Sequence, residues 1–135
     1  MRKHKPLALF AVAVGFLVLP ATMFGHHGNA AYELTKPIEL KGTVTEFAWN
    51  NPHVQIYFDV KDDKGNIVRW ASETVSPGLL ARSGWSKNEL KPGDQITITI
   101  APAKNGAPVG YALKIVLASG KQLVLGQGRD TPYSP

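Results

Sequence analysis

Apolar and polar positions alternate in short blocks along most of this chain. Ile38-Glu39-Leu40-Lys41-Gly42-Thr43-Val44 repeats with a period of two, which predicts a half-buried strand. That strand runs on through Phe47 and Trp49 until Asn50-Asn51-Pro52 breaks it, and Gly42 inside it predicts a bulge or sharp coil. A second strand, Val54 to Val60, sends Val54, Ile56, Phe58 and Val60 to one face and His53, Gln55, Tyr57 and Asp59 to the other. Asp62-Asp63-Lys64-Gly65-Asn66 is a hairpin loop, and Ile67 to Val75 is a third strand carrying Trp70 and Glu73.

Ser76-Pro77 opens a short helix, with serine as the cap, proline in the first turn and Gly84 at the end. Ser86-Lys87-Asn88-Glu89 matches a capping box for one further turn. Lys91-Pro92-Gly93-Asp94 is a tight turn into a strand from Gln95 to Ile100, and Tyr111–Leu117 with Lys121–Leu125 forms a last hairpin. The order is three strands, a helix, then two or three strands. It predicts an all-β domain, a small OB-fold-like barrel of five to six strands with a short helix between strands 3 and 4. A small β-sandwich is the competing architecture, and the helix placement favours the barrel.

The start of the chain has a different texture. Arg2, Lys3 and Lys5 precede an apolar run from Leu7 to Leu19, and Pro20-Ala21-Thr22 follows it. These are the parts of a secretory signal peptide over residues 1–25. The apolar run falls short of the roughly 20 residues that a membrane-spanning helix requires. Cleavage after Gly25 leaves His26 at the new terminus. Cleavage after Ala30, with Gly28 at the −3 position, fits the small-x-small pattern better and discards both histidines. The expected division is therefore a leader to residue 25 or 30, a mature N-terminal segment over 26–37, the barrel over 38–126 and a C-terminal tail over 127–135. The mature protein is expected in the periplasm with no stable membrane span.

Export changes how the charge reads. Of 15 basic residues three lie in the leader, and none of the 10 acidic ones does, so the mature balance is 12 against 10 rather than the whole-chain +5. A near-neutral domain lacks the basic stripe expected of a nucleic-acid binder. With no cysteine there is no disulfide framework, thiol chemistry or cysteine-based zinc site.

Several motifs together resemble a known family. His26-His27, then Leu40-x-Gly42-x-Val44-x-x-Phe47-x-Trp49-x-Asn51-Pro52-His53, are similar to a family of small uncharacterised exported proteins of Proteobacteria. The likeness continues through Trp70-x-x-Glu73, Pro77-x-x-Leu80, Gly84-Trp85, Leu90-x-Pro92-Gly93-Asp94 and Pro102-Ala103-Lys104-x-Gly106. That family is classed as a domain of unknown function, so the resemblance implies kinship and export and no activity. There is a looser likeness to bacterial periplasmic OB-fold proteins linked to stress tolerance.

The candidate chemistry centres on histidine. Neutral imidazoles and a freed α-amine are good donors to copper-type ions, so His26 and His27 are candidate metal ligands. His53, at the start of a strand after the Asn-Pro turn, is a candidate third. The competing reading makes the pair a solvated tail and His53 a loop hydrogen-bonding group. Trp49, Asn51, Trp70, Glu73 and Trp85 are candidates for a ligand rim, since OB-folds bind across strands 2 and 3 and their loops. The same residues also suit a purely structural turn and barrel cap. Glu73 could act as a general base beside His53, although an ion pair with Arg69 or Arg82 is the commoner role. No nucleophile motif is present, and no enzyme is expected. The expectation is a non-enzymatic binding protein with a metal ion or small ligand as partner. The rival readings are an interaction or envelope-stress module that binds a peptide, glycan or small molecule on the rim, and a subunit assisting a neighbouring membrane or redox enzyme.

Overall fold

The computed structural model describes residues 29–125. The leader, His26, His27 and the tail from residue 127 lie outside the described residues. After a short 3-10 turn at Asn29–Ala31 come β1 (Ile38–Ala48), β2 (Gln55–Lys61), β3 (Ile67–Glu73), α1 (Pro77–Arg82), β4 (Gln95–Pro102), β5 (Val109–Leu117) and β6 (Gln122–Val124).

The strands lie in the order β3-β2-β1-β4-β5-β6, and a further pairing of β3 with β5 closes the sheet. That closing pair is parallel, with Ala71, Ser72 and Glu73 opposite Val109, Gly110 and Tyr111. All other pairings are antiparallel. The result is a mixed five-stranded closed barrel with β6 as an extra strand on β5, and the helix falls between β3 and β4. Closure removes sheet edges that would otherwise offer unpaired backbone groups.

Period-two alternation fills the barrel. Ile56 and Phe58 of β2 and Ile98 and Ile100 of β4 are fully buried, with Val44, Val54, Ala112 and Ile115 in the same cluster. Leu80 of α1 joins them. Ser76 caps this helix in extended backbone and its hydroxyl accepts from the Leu79 N–H, while Gly84 takes a left-handed φ of 87° just past the end. Ser86–Glu89 forms a single turn, closed from Glu89 N–H to the Ser86 carbonyl at 3.1 Å, with the Ser86 hydroxyl accepting from Asn88.

Gly42 has a purpose other than the expected bulge. A Cβ there would lie 2.8 Å from Phe58 Cδ2 and 2.9 Å from the Asp59 carbonyl oxygen. The bulge itself falls between Val44 and Glu46, so it re-aims the end of β1.

β5 breaks alternation, with Gly110 to Leu113 all buried. Its outer face is covered by Tyr32 and Leu34, whose segment runs beside the end of β4. Tyr32 bridges Ala103, Glu33 N–H donates to the Pro102 carbonyl, and Lys104 N–H donates to the Ala31 carbonyl. Tyr32 and Leu34 pack on a second apolar cluster of Ala101, Tyr111 and Leu113.

Candidate functional site

β1 delivers the chain to a turn, Trp49 to His53, at one end of the barrel. The Asn51-Pro52 peptide bond is cis. Beyond it the chain is locked to β3, because Val54 N–H donates to the Val75 carbonyl and Thr74 N–H and Oγ1 both donate to the Val54 carbonyl. Gln55 lies opposite Glu73 in the β2–β3 register. His53, two residues before Gln55, shares its face, so Glu73 is its diagonal neighbour. The two side chains meet, His53 Nδ1 lying 2.5 Å from Glu73 Oε1, with 36% and 33% of their side chains exposed.

The pair borders a groove of 350 Å³. Ala48 at the end of β1, the Asn50–His53 turn, Gln55 and Glu73 form its walls. Among the described residues no lysine or arginine lines it. Arg69, expected as a partner of Glu73, instead pairs with Asp59 directly opposite it in the β2–β3 register, at 2.9 Å. Glu73 therefore brings negative charge to a wall whose other polar side chains, among the described residues, are amides and an imidazole.

A third group reaches the carboxylate. The Tyr32 hydroxyl donates to Glu73 Oε2 at 3.3 Å, and its ring lies 6.1 Å from that of Tyr111. Burial, and then the charge of Glu73, raise the phenol of Tyr32 above its ordinary value, and the same two causes raise that of Tyr111. Both tyrosines thus stay neutral through the physiological range. Nothing in the sequence reading singled out Tyr32. The available signal was the short Tyr32-x-Leu34 alternation, two apolar residues sharing a face within the N-terminal segment 26–37.

The candidate residues divide into two groups. His53, Asn51 and Glu73 come together at the groove. Trp85 is only 5% exposed and belongs to the core, with its ring 6.3 Å from that of Phe47. Trp49 is half-buried, edge-on to Phe47 at 5.7 Å, and Trp70, opposite Phe58, also packs against the core. The three indoles therefore support the barrel and do not line the groove. His26 and His27 lie outside the described residues. Among the described residues no cluster of three or more histidine or carboxylate side chains is arranged to hold a metal. His53 and Glu73 are what this end of the barrel supplies.

The fold and site define a small closed β-barrel with a histidine–carboxylate pair in a terminal groove. A family model described as a family of unknown function (DUF6152) matches residues 15–112, and the chain belongs to that family. No curated protein matches. Among solved structures, the crystal structure of the ZRD-deleted mutant of TiaS in complex with agmatine is similar at 17% identity with a TM-score of 0.41. That likeness covers 74% of this chain and 24% of the TiaS chain, so the protein spans about a quarter of that structure's length. Among the described residues no helix is long and apolar enough to cross a membrane.

Proposed function

We propose that this is an exported, periplasmic, non-enzymatic binding protein whose ligand is a copper-type metal ion held at His53. The observation that carries this reading is the 2.5 Å contact between His53 Nδ1 and Glu73 at the wall of a groove that no lysine or arginine lines among the described residues. A metal-ligating histidine commonly donates its other ring N–H to a carboxylate, which fixes the tautomer and raises ligand basicity. With Nδ1 engaged, Nε2 is the ligating nitrogen. Glu73 also supplies charge complementary to a cation.

One imidazole is too few for tight ligation. We propose His26 and His27 as the remaining donors, together with an α-amine if cleavage falls beside them. Nitrogen donors in this number suit Cu(II). His27 stands five positions before Tyr32 in the sequence, and Tyr32 itself touches Glu73. An aromatic-rim ligand is less well supported, because Trp85 is buried in the core, Trp49 and Trp70 pack against it, and none of the three lines the groove.

Two measurements test the reading. Intact mass of the exported protein locates its first residue, and a start at Ala31 removes the histidine pair from the site. Competition titration of Cu(II) into the mature protein, His53→Ala, and the His26→Ala/His27→Ala double variant then reads the ligands. Both variants are expected to bind more weakly than wild type, and three equal affinities would overturn the proposal.

A further inference from the structure

The segment that follows the histidine pair is an integral part of the barrel wall. Two backbone hydrogen bonds, which together form the Tyr32–Ala103 bridge, tie residues 31–33 to the end of β4, and Tyr32 and Leu34 cover Tyr111 and Leu113 of β5. From this docked position the Tyr32 ring extends across to β3 and ends on Glu73. The carboxylate thus has its two oxygens divided between two partners, His53 Nδ1 on Oε1 and Tyr32 on Oε2.

This division has a consequence for the imidazole. The terminal torsion of a glutamate is broad and has no sharp preferred angle, so one hydrogen bond leaves the carboxylate plane free to swing. A second bond from the opposite side fixes that plane. Among the described residues Glu73 has no lysine or arginine partner to do the same. The charged and titratable groups facing it are His53 from the β1–β2 turn, Tyr32 from the N-terminal segment and Tyr111 from β5.

Resting on the metal reading above, we infer that Tyr32 is a positioning residue. By donating to Glu73 it fixes the carboxylate against His53 Nδ1, so that docking of residues 29–34 and ligation at His53 are coupled. The coupling is reciprocal, as any linkage between two equilibria must be. A metal ion at His53 strengthens the docking of this segment, and the docked segment strengthens metal binding.

The test compares mature wild type, Tyr32→Phe and Glu73→Gln. Tyr32→Phe keeps the ring that packs on Tyr111 and removes only the donor, so near-ultraviolet circular dichroism and the melting temperature are expected to stay close to wild type. Ring-nitrogen NMR shifts of His53 in metal-free protein read its tautomer. Wild type is expected to hold one tautomer with the proton on Nδ1, and Tyr32→Phe and Glu73→Gln are both expected to show a mixture. Cu(II) affinity is expected to fall about threefold to tenfold in Tyr32→Phe, below the roughly 10–100-fold typical of a direct outer-shell partner. An unchanged His53 tautomer in Tyr32→Phe would overturn the inference. Because the tautomer is read without metal, a wild-type protein that binds no Cu(II) contradicts the metal reading separately, and the NMR comparison still decides the role of Tyr32.

Discussion

Glu73, at the end of β3, holds His53 through Nδ1 at 2.5 Å, across the point where the β1–β2 turn enters the barrel. The contact follows from register. Gln55 opposite Glu73 places His53 on the diagonal, and the doubled bonds from Thr74 to the Val54 carbonyl prevent that register from slipping. A histidine held this way has its Nδ1 committed to the protein, and the metal reading proposed above assigns the other ring nitrogen to the ligand.

Glu73→Gln tests that division directly. Glutamine keeps the size of the side chain and loses its charge. Cu(II) affinity is expected to fall by about 10–100-fold, the usual cost of altering the partner of a ligating histidine. The melting temperature is expected to change little, because the pair is one-third exposed and surface pairs contribute about 0–1 kcal/mol. Isothermal titration beside thermal denaturation separates the two effects. A large loss of stability with unchanged affinity would make Glu73 a structural residue.

Gly42 gives the sharpest test of the barrel itself. An alanine Cβ at this position meets Phe58 Cδ2 at 2.8 Å and the Asp59 carbonyl at 2.9 Å. The carbonyl is backbone paired in the β1–β2 ladder and cannot step aside cheaply. Overpacking of this kind costs about 1–3 kcal/mol. Gly42→Ala is expected to lower the urea midpoint accordingly, and a variant as stable as wild type would mean that β1 and β2 are farther apart than described.

Much of this architecture is legible in the sequence. Val54, Ile56 and Phe58 on one side of β2, and Ile96, Ile98 and Ile100 in β4, are buried as their alternation predicts. Ser76, Pro77 and Gly84 mark the helix for reasons local to their own backbones. What was not legible has non-local causes. β5 loses alternation because Tyr32 and Leu34 cover its outer face, and Gly42 is required by a side chain sixteen positions away. Trp49, Trp70 and Trp85 read equally well as rim or core, since a sequence shows that an indole needs a partner and not which one. His53 and Glu73 were each visible as candidates. Their pairing depended on a strand register, and Tyr32 depended on a segment with almost no pattern.

Alkaline pH is expected to destabilise the fold through Tyr111 and Tyr32. Burial and the nearby Glu73 raise both phenols above the ordinary 10.0. A group with a raised folded value holds its proton longer in the native state than in the unfolded chain, so the unfolded chain binds fewer protons over that interval. Stability from this source is complete below about pH 10 and falls as pH rises through the raised values. Tyr111→Phe is expected to flatten this fall between wild type and variant in denaturant titrations from pH 9 upward. Parallel curves would show that Tyr111 ionises as freely when folded as when unfolded.

The most direct measurement of the central claim is pulsed electron paramagnetic resonance of mature protein loaded with one equivalent of Cu(II). The remote ring nitrogen of a coordinated imidazole leaves a characteristic modulation, and its depth counts coordinated histidines. Wild type is expected to show more than one, and His53→Ala one fewer. A spectrum in which His53→Ala is identical to wild type would contradict the assignment of His53 as a ligand.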